Sequence, residues 1–342
     1  MAAPKVTSGN GNPDLAQKFR GVLLGTAVGD ALGAPFEGSG PVRPDVLRRL
    51  ERRPGSLTYT DDTHMTLGLA RSLVEREGFD GAHMAGLFAR NYLAQPWRGY
   101  GPGPPRVFRL LDQGVPWHQA SRALFGGGGS FGNGAAMRVA PVALLAFGNM
   151  ERVASLARQT AVITHAHELG VEGAVLQACA VAVALGHDPA AAVDPEEFLH
   201  GLRPHANTPD FRTKLDRVEQ LLKTNGDAAL GAVIDQLGNG IKASESVPTA
   251  IYAFLRRPSS FSEVVTYAIS LGGDTDTIAC MAGAFAGAHL GLDGIPALWA
   301  EGVEAAAEGV EAAAELLDLA DSLLSLSSAG RFWPSGEGGL AR

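Results

Sequence analysis

The stretch Leu271-Gly-Gly-Asp-Thr-Asp-Thr277 runs straight into Ile278-Ala-Cys-Met-Ala-Gly-Ala-Phe-Ala-Gly-Ala288, and no other feature restricts the fold as much. A run so rich in alanine and glycine is too apolar all round to be a surface helix, so the chain must bury it. Its entrance crowds two carboxylates and two hydroxyls just after a Gly-Gly turn. One reading is a capped helix start, with Thr or Asp accepting backbone N–H groups and the acids facing the positive end of the dipole. The other is a cation site, because such a cluster repels itself unless neutralised, and oxygen-only ligands favour a hard ion such as Mg²⁺. A second cluster, Tyr59-Thr60-Asp61-Asp62-Thr63, opens another apolar run (Met65, Leu67, Leu69, Leu73). Two such clusters, each leading a helix, can meet in space and hold two metals, and this favours the cation reading.

A second small-residue pattern lies near the start. Leu15 to Ala34 reads as a helix with Asp14 as N-cap, and glycines at 21, 25, 29 and 33 put a small stripe on one face. That stripe lets another helix approach closely. Arg20 and Asp30 rule out a membrane-dimerisation reading of the same spacing. Pro35 breaks the helix and leaves Glu37 at its exit, where a lone acid is ordinarily solvated. Further helices are expected over 44–53, 62–77, 81–94 and 211–222, and over 160–186 with a break near Gly170. Another is expected over 301–326, where a near-repeat of Glu-Gly-Val-Glu-Ala-Ala-Ala reads as one amphipathic helix. Arg98–Pro105 reads as an irregular loop, Gly238–Ile241 and Ser244–Pro248 as turns, and 187–225 as peripheral.

With no convincing strand alternation, 46% hydrophobic residues and only 7% aromatics, the expectation is an all-α compact multi-helix bundle with a cleft between helix starts. Its single domain is expected over 15–326, between a disordered lead-in (1–14) and a flexible tail (327–342). The net charge of −8 argues against a nucleic-acid binder, and a polyanionic ligand must be received locally by metals and backbone N–H groups. Cys179 and Cys280 sit in apolar helical sequence and imply no disulfide. Residues 1–14 lack the apolar core of a signal peptide, and the uncharged stretches fall short of a bilayer span. A soluble, intracellular monomer without membrane contact is expected, cytoplasmic or, in a eukaryote, also nuclear.

Gly126 to Gly134 is the most glycine-dense segment and leads into Ala135–Pro141, an apolar helix on this reading. It is either a flexible linker or a diphosphate cradle of backbone N–H groups, and it has no Gly-Lys-Ser/Thr of a Walker loop. His165 and His167, two apart, point in different directions on a helix and cannot share a zinc ion. His165 is then either a packed core histidine or a polar contact to a ligand.

Taken together, Gly25-x-x-x-Gly-Asp-Ala-Leu-Gly33, Tyr59–Thr63, Gly129–Gly134, Thr164-His165 and Gly272–Thr277 resemble the ADP-ribosylglycohydrolase family over about 19–299. Arg98-Gly-Tyr-Gly101, Ser130 and Gly238–Tyr252 are similar to the branch that cleaves serine-linked ADP-ribose, poly(ADP-ribose) and O-acetyl-ADP-ribose. The resemblance implies an orthogonal helical bundle with two Mg²⁺ (or Mn²⁺) ions in its cleft. It implies Thr60, Asp61, Asp62, Asp274, Asp276 and Thr277 as metal ligands, and Glu37 as the mobile catalytic acid. Phe125, Gly129, Ser130, Phe131, Gly132, Asn133 and His165 would line the ADP-ribose site, with Tyr100, Gly101 and Ile241 nearby. Departures are Phe131 where tyrosine is common, Ala135 for a glycine, and a short 187–225 segment. The implied function is Mg-dependent release of ADP-ribose from O-linked serine in ADP-ribosylated proteins, from poly(ADP-ribose) and from small ADP-ribose conjugates. The alternatives are an arginine-ADP-ribose hydrolase of the dinitrogenase-reductase-activating type and a non-catalytic ADP-ribose binder. Arg43, Arg48 and Arg49 behind Glu37 would disfavour a guanidinium leaving group, which points toward serine.

Overall fold

The structure is a computed structural model that describes residues 14–50, 52, 57–224, 228–303 and 312–329. Seven of its helices position the site: α1 (Leu15–Gly33), α2 (Asp61–Glu75), α3 (Glu168–Gly186), α4 (Ala243–Arg256), α5 (Phe261–Ser270), α6 (Thr275–Leu290) and α7 (Ala312–Ser328). Among the described residues the only β pairings are isolated bridges, so the architecture is all-α as expected.

The centre of the bundle is the α1–α6 pair, which makes the most extensive helix–helix contact among the described residues. The glycine stripe explains why. A Cβ at Gly21 would lie 2.5 Å from the Gly287 carbonyl oxygen, one at Gly25 2.5 Å from that of Gly283, and one at Gly29 2.1 Å from that of Ala279. At Gly33 the distance to the Thr275 carbonyl oxygen is 2.4 Å. Partners descend as α1 ascends, so the helices run antiparallel with their backbones in contact, and the end of α1 meets the start of α6. The glycines of α6 answer in kind, since a Cβ at Gly283 or Gly287 would strike the carbonyl of Gly25 or Gly21. Helix α6 is buried along nearly its whole length, as its composition demands.

Around this pair pack α4 and α5, α3, and α7, which closes over α1 and α2. Cys179 and Cys280 are both free and buried. By length and composition α3 could cross a bilayer, but 78% of its apolar window is buried inside the protein.

Several sequence expectations need correction. The 98–105 loop stops short, because a helix begins at Gly103 with prolines in its first turn, where no N–H is required. Helix α4 begins at Ala243 and carries Pro248 inside it, so Ser244–Pro248 is helical rather than a turn. The break between helices falls over 162–167, whereas Gly170 lies inside α3. Residues 187–225 are not merely peripheral: Phe198, Leu202, Phe211 and Leu215 are completely buried. The apolar run after the glycine segment turns first and becomes helical only at Ala140. The 1–13 and 330–342 parts of the expected termini, and the 304–311 part of the expected last helix, lie outside the described residues.

Candidate active site

The two acid clusters meet. Helix α2 is capped by Thr60, whose Oγ1 accepts from the Asp62 N–H at 3.3 Å, leaving the Asp61 and Asp62 carboxylates free of capping. The turn is held from behind by Asp30 of α1, which is completely buried. Asp30 accepts from the Thr60 and Thr63 N–H groups (both at 3.0 Å) and from the Thr60 and Thr63 hydroxyls (2.8 and 2.6 Å). Burial pushes its pKa up while these four donors pull it down.

The Gly272-Gly273 turn, with φ of +69° and +74°, brings the second cluster to the same place. A Cβ at Gly273 would lie 2.1 Å from the Asn239 carbonyl oxygen, so only glycine fits. Gly38 N–H donates to the Gly273 carbonyl and Gly273 N–H to that of Ser39, both at 2.8 Å, which ties the loop carrying Glu37 to the start of α6. Thr275 Oγ1 donates to the Gly33 carbonyl at 2.9 Å and locks the two helix ends together. Asp274 sits at the N-cap of α6 without capping it; instead Asn133 Nδ2 donates to its Oδ2. The capping explanation therefore fails for this cluster and holds only for Thr60 in the other.

Carboxylate oxygens of Glu37, Asp274 and Asp276 lie within 4.8 Å of one another, with Asp61 and Asp62 lining the same cavity. At such spacing each like-charged pair costs on the order of 4 kcal/mol at an effective dielectric of ~20. Burial, then neighbouring carboxylates, push Asp61 up to about 8 and Asp276 up to about 9, and raise Asp62 well above its usual range. Glu37, exposed at the rim, is raised by partial burial and then by the Asp274 charge. Asp62 Oδ2 and Asp276 Oδ1 are buried with no hydrogen-bond partner. Unpartnered carboxyl oxygens that a cation would ionise are what a hard divalent ion requires, and the residues present fit one.

The cavity, about 310 Å³, extends from this acid end to an apolar end. There Phe125, Phe131 and Ile241 are 52%, 45% and 66% exposed, an unusual expense for large apolar side chains. The Phe131–Asn133 segment is pinned against the entrance to α4: Asn133 N–H donates to the Ile241 carbonyl and Ala243 N–H to the Phe131 carbonyl. His165 is buried between the two ends, its Nδ1 2.8 Å from Thr164 Oγ1. Burial, then Arg138, lower its pKa to about 3, so the ring is neutral.

Of the expected site residues, Glu37, Asp61, Asp62, Gly101, Phe125, Ser130, Phe131, Gly132, Asn133, His165, Ile241, Asp274, Asp276 and Thr277 line this cavity. Thr60, Tyr100 and Gly129 are not among the residues that line it. Thr60 faces an adjoining cavity, the Tyr100 hydroxyl pairs with His64 Nδ1 at 3.0 Å, and Gly129 packs against the His167 backbone. Part of the glycine run already has its N–H groups engaged. Those of Gly127, Gly128 and Gly129 bond the carbonyls of Leu124 and Phe125, and Gly132 bonds Ser130 Oγ. Sequence reading missed Asp30 as the anchor of the first cluster and Asn133 as the partner of Asp274. A lone acid inside a glycine-striped helix was the available signal for the former.

A profile of the ADP-ribosylglycohydrolase family matches residues 11–331. The chain is 40% identical over 325 residues to "ADP-ribosylhydrolase ARH3" of Homo sapiens, covering 84% of this chain and 89% of that one. It is 40% identical over 344 residues to the protein of that name in Bos taurus, covering 89% and 94%. A solved "ADP-ribosylglycohydrolase-related protein complex" superposes with a TM-score of 0.69 at 29% identity, covering 92% of this chain and 99% of that one.

Proposed function

The chain belongs to the ADP-ribosylglycohydrolase family, and on that premise we propose that it is a divalent-metal-dependent hydrolase releasing ADP-ribose from serine side chains. That it is a glycosidic ADP-ribose hydrolase follows from the family and from its relatives. The metal, the linkage and the residue roles are the proposal. The observation that carries it is the two-ended cavity: carboxylates with unpartnered oxygens at one end, exposed aromatic and aliphatic side chains at the other.

ADP-ribose has the matching polarity along its length. Adenine would lie against Phe125, Phe131 and Ile241, which offer apolar surface for stacking. The Phe131–Asn133 segment and neutral His165 would line the diphosphate region, and the distal ribose would reach the acid end. Thr60, Asp61, Asp62, Asp274, Asp276 and Thr277 would hold two Mg²⁺ or Mn²⁺ ions. When bound, these ions supply Lewis-acid polarisation of the ribose hydroxyls and neutralise the cluster. Glu37, at the rim within reach of Asp274 and Asp276, would exchange the proton between the attacking water and the departing oxygen. Asn133 orients Asp274, and Asp30 orients the Thr60–Thr63 turn. Poly(ADP-ribose), and O-acetyl-ADP-ribose carrying its acetyl group on the anomeric oxygen, present the same anomeric carbon–oxygen bond and would be accepted by the same geometry.

Serine linkage rests on the resemblance of Arg98–Gly101, Ser130 and Gly238–Tyr252 to the serine-cleaving branch. The arginines behind Glu37 support it less than their number implies, because exposed Asp45 pairs with Arg43 at 3.2 Å and lies 3.8 Å from Arg49. The test is a matched pair of peptides, one ADP-ribosylated on serine and one on arginine, with Mg²⁺ present. Serine-linked ADP-ribose should be released at least about tenfold faster, a difference of ~1.4 kcal/mol in barrier. Equal or reversed rates would place the chain with the arginine-cleaving members.

A further inference from the structure

Resting on that reading, the geometry points to a polypeptide-binding subsite outside the ADP-ribose cavity, with Trp97 as its specificity-determining residue. A second cavity of about 360 Å³ adjoins the acid end and is lined by Ala34, Pro35, Thr58, Thr60, Trp97 and Gly99, among others. Gly99 lines both cavities. A Cβ built there would lie 3.7 Å from Thr60 Cβ and 3.8 Å from Asp61 Oδ1, so the two spaces meet at the acid cluster itself.

The direction follows from the chemistry of the substrate. With adenine at the apolar end and the distal ribose among the carboxylates, whatever is attached to the anomeric carbon must leave past the acid end. The turn Ala34–Phe36 forms one bank of the second cavity and ends at Glu37. A leaving group that passes Glu37 therefore enters a groove between this turn and the Trp97–Gly99 segment. A serine side chain is short, so the polypeptide carrying it has to follow the modified residue into that groove.

The groove is built to hold shape. Arg98 lies over the Tyr59 ring with its guanidinium carbon 3.9 Å from the centroid. It donates to the Tyr59 carbonyl at 2.9 Å and to Gln95 Oε1 at 2.6 Å. That clamp fixes the backbone immediately after Trp97. Yet Trp97 itself is 72% exposed, and Leu93, near the end of the preceding helix, is 75% exposed. An exposed tryptophan beside a cavity, on backbone held by the next residue, offers apolar surface to a partner and does little for the fold.

The test compares kcat/KM for ADP-ribose linked to free serine with that for the same linkage inside a peptide, in wild type, Trp97→Ala and Trp97→Phe. Trp97→Ala should lower the value for the peptide at least about tenfold, chiefly through KM, and leave that for the amino-acid conjugate unchanged. Trp97→Phe should restore most of the loss. If Trp97→Ala affects both substrates equally, or neither, the subsite is overturned while the hydrolase reading stands. If the wild-type chain releases ADP-ribose from neither substrate, the functional reading has failed and the subsite falls with it.

Discussion

At the residue scale two acids, Glu37 and Asp30, have different duties. Glu37 sits at the exposed rim beside two buried carboxylates, at the acid end of the cavity. Glu37→Gln should therefore bind ADP-ribose within about tenfold of wild type, ~1.4 kcal/mol, by calorimetry. Its turnover should fall by at least the ~10²-fold typical of lost acid–base catalysis. Near-normal turnover would reduce Glu37 to a surface residue. Asp30 touches no substrate in this account and acts through Thr60 and Thr63. Asp30→Asn keeps the shape but has only one accepting oxygen, leaving buried donors unpaired at ~1–3 kcal/mol each. Thermal unfolding should show a lower Tm and a smaller upward shift on adding Mg²⁺; a Tm equal to wild type would remove Asp30 from the account. The acid clusters were legible from local crowding of Asp and Thr. Asp30 was not, because its partners lie about thirty positions away and only the fold brings them together.

At the element scale the controlling contact is backbone against backbone. The glycine stripe of α1 was legible as a close-approach face, and α6 as a buried helix. That the two faces belong to one another was not, since spacing names no partner. Gly29 is the sharpest test, because its Cβ would come 2.1 Å from the Ala279 carbonyl oxygen, an atom that cannot swing aside. In an isolated helix Gly→Ala gains up to ~1 kcal/mol. Here overpacking, typically ~1–3 kcal/mol and at its upper end against backbone, should win. Gly29→Ala should lower Tm and, by parting the ends of α1 and α6, lower activity at temperatures where the variant is still folded. A variant as stable and active as wild type would show that the α1–α6 contact does not set the site. Two of the helix boundaries that sequence misjudged share one physical cause. Proline was read as a breaker, yet it sits without conflict in the first turn at Gly103–Asp112, and in α4 tertiary burial outweighs the bond it forgoes.

At the scale of the whole molecule, the bundle gathers five carboxylates around one end of one cavity, and that concentration is unfavourable without cations. The sign of its pH dependence follows. Asp61 and Asp276 are raised in the folded chain to about 8 and about 9, against ~3.9 for an unfolded aspartate. Between those limits the folded state holds more protons, so in chelator stability is fullest below the unfolded value and is lost as pH rises toward 8–9. Cations that bind only the folded, ionised cluster remove that loss. The Tm difference between Mg²⁺-loaded and chelated protein should therefore be larger at pH 8 than at pH 5; a constant or shrinking difference would contradict the shared-cation cluster. The most direct measurement is release of free ADP-ribose from a serine-ADP-ribosylated peptide, followed in excess chelator and again after Mg²⁺ is restored. The account predicts that turnover ceases in chelator, returns with Mg²⁺, and does not return in Asp274→Ala or Asp61→Ala. Full turnover in excess chelator would contradict it.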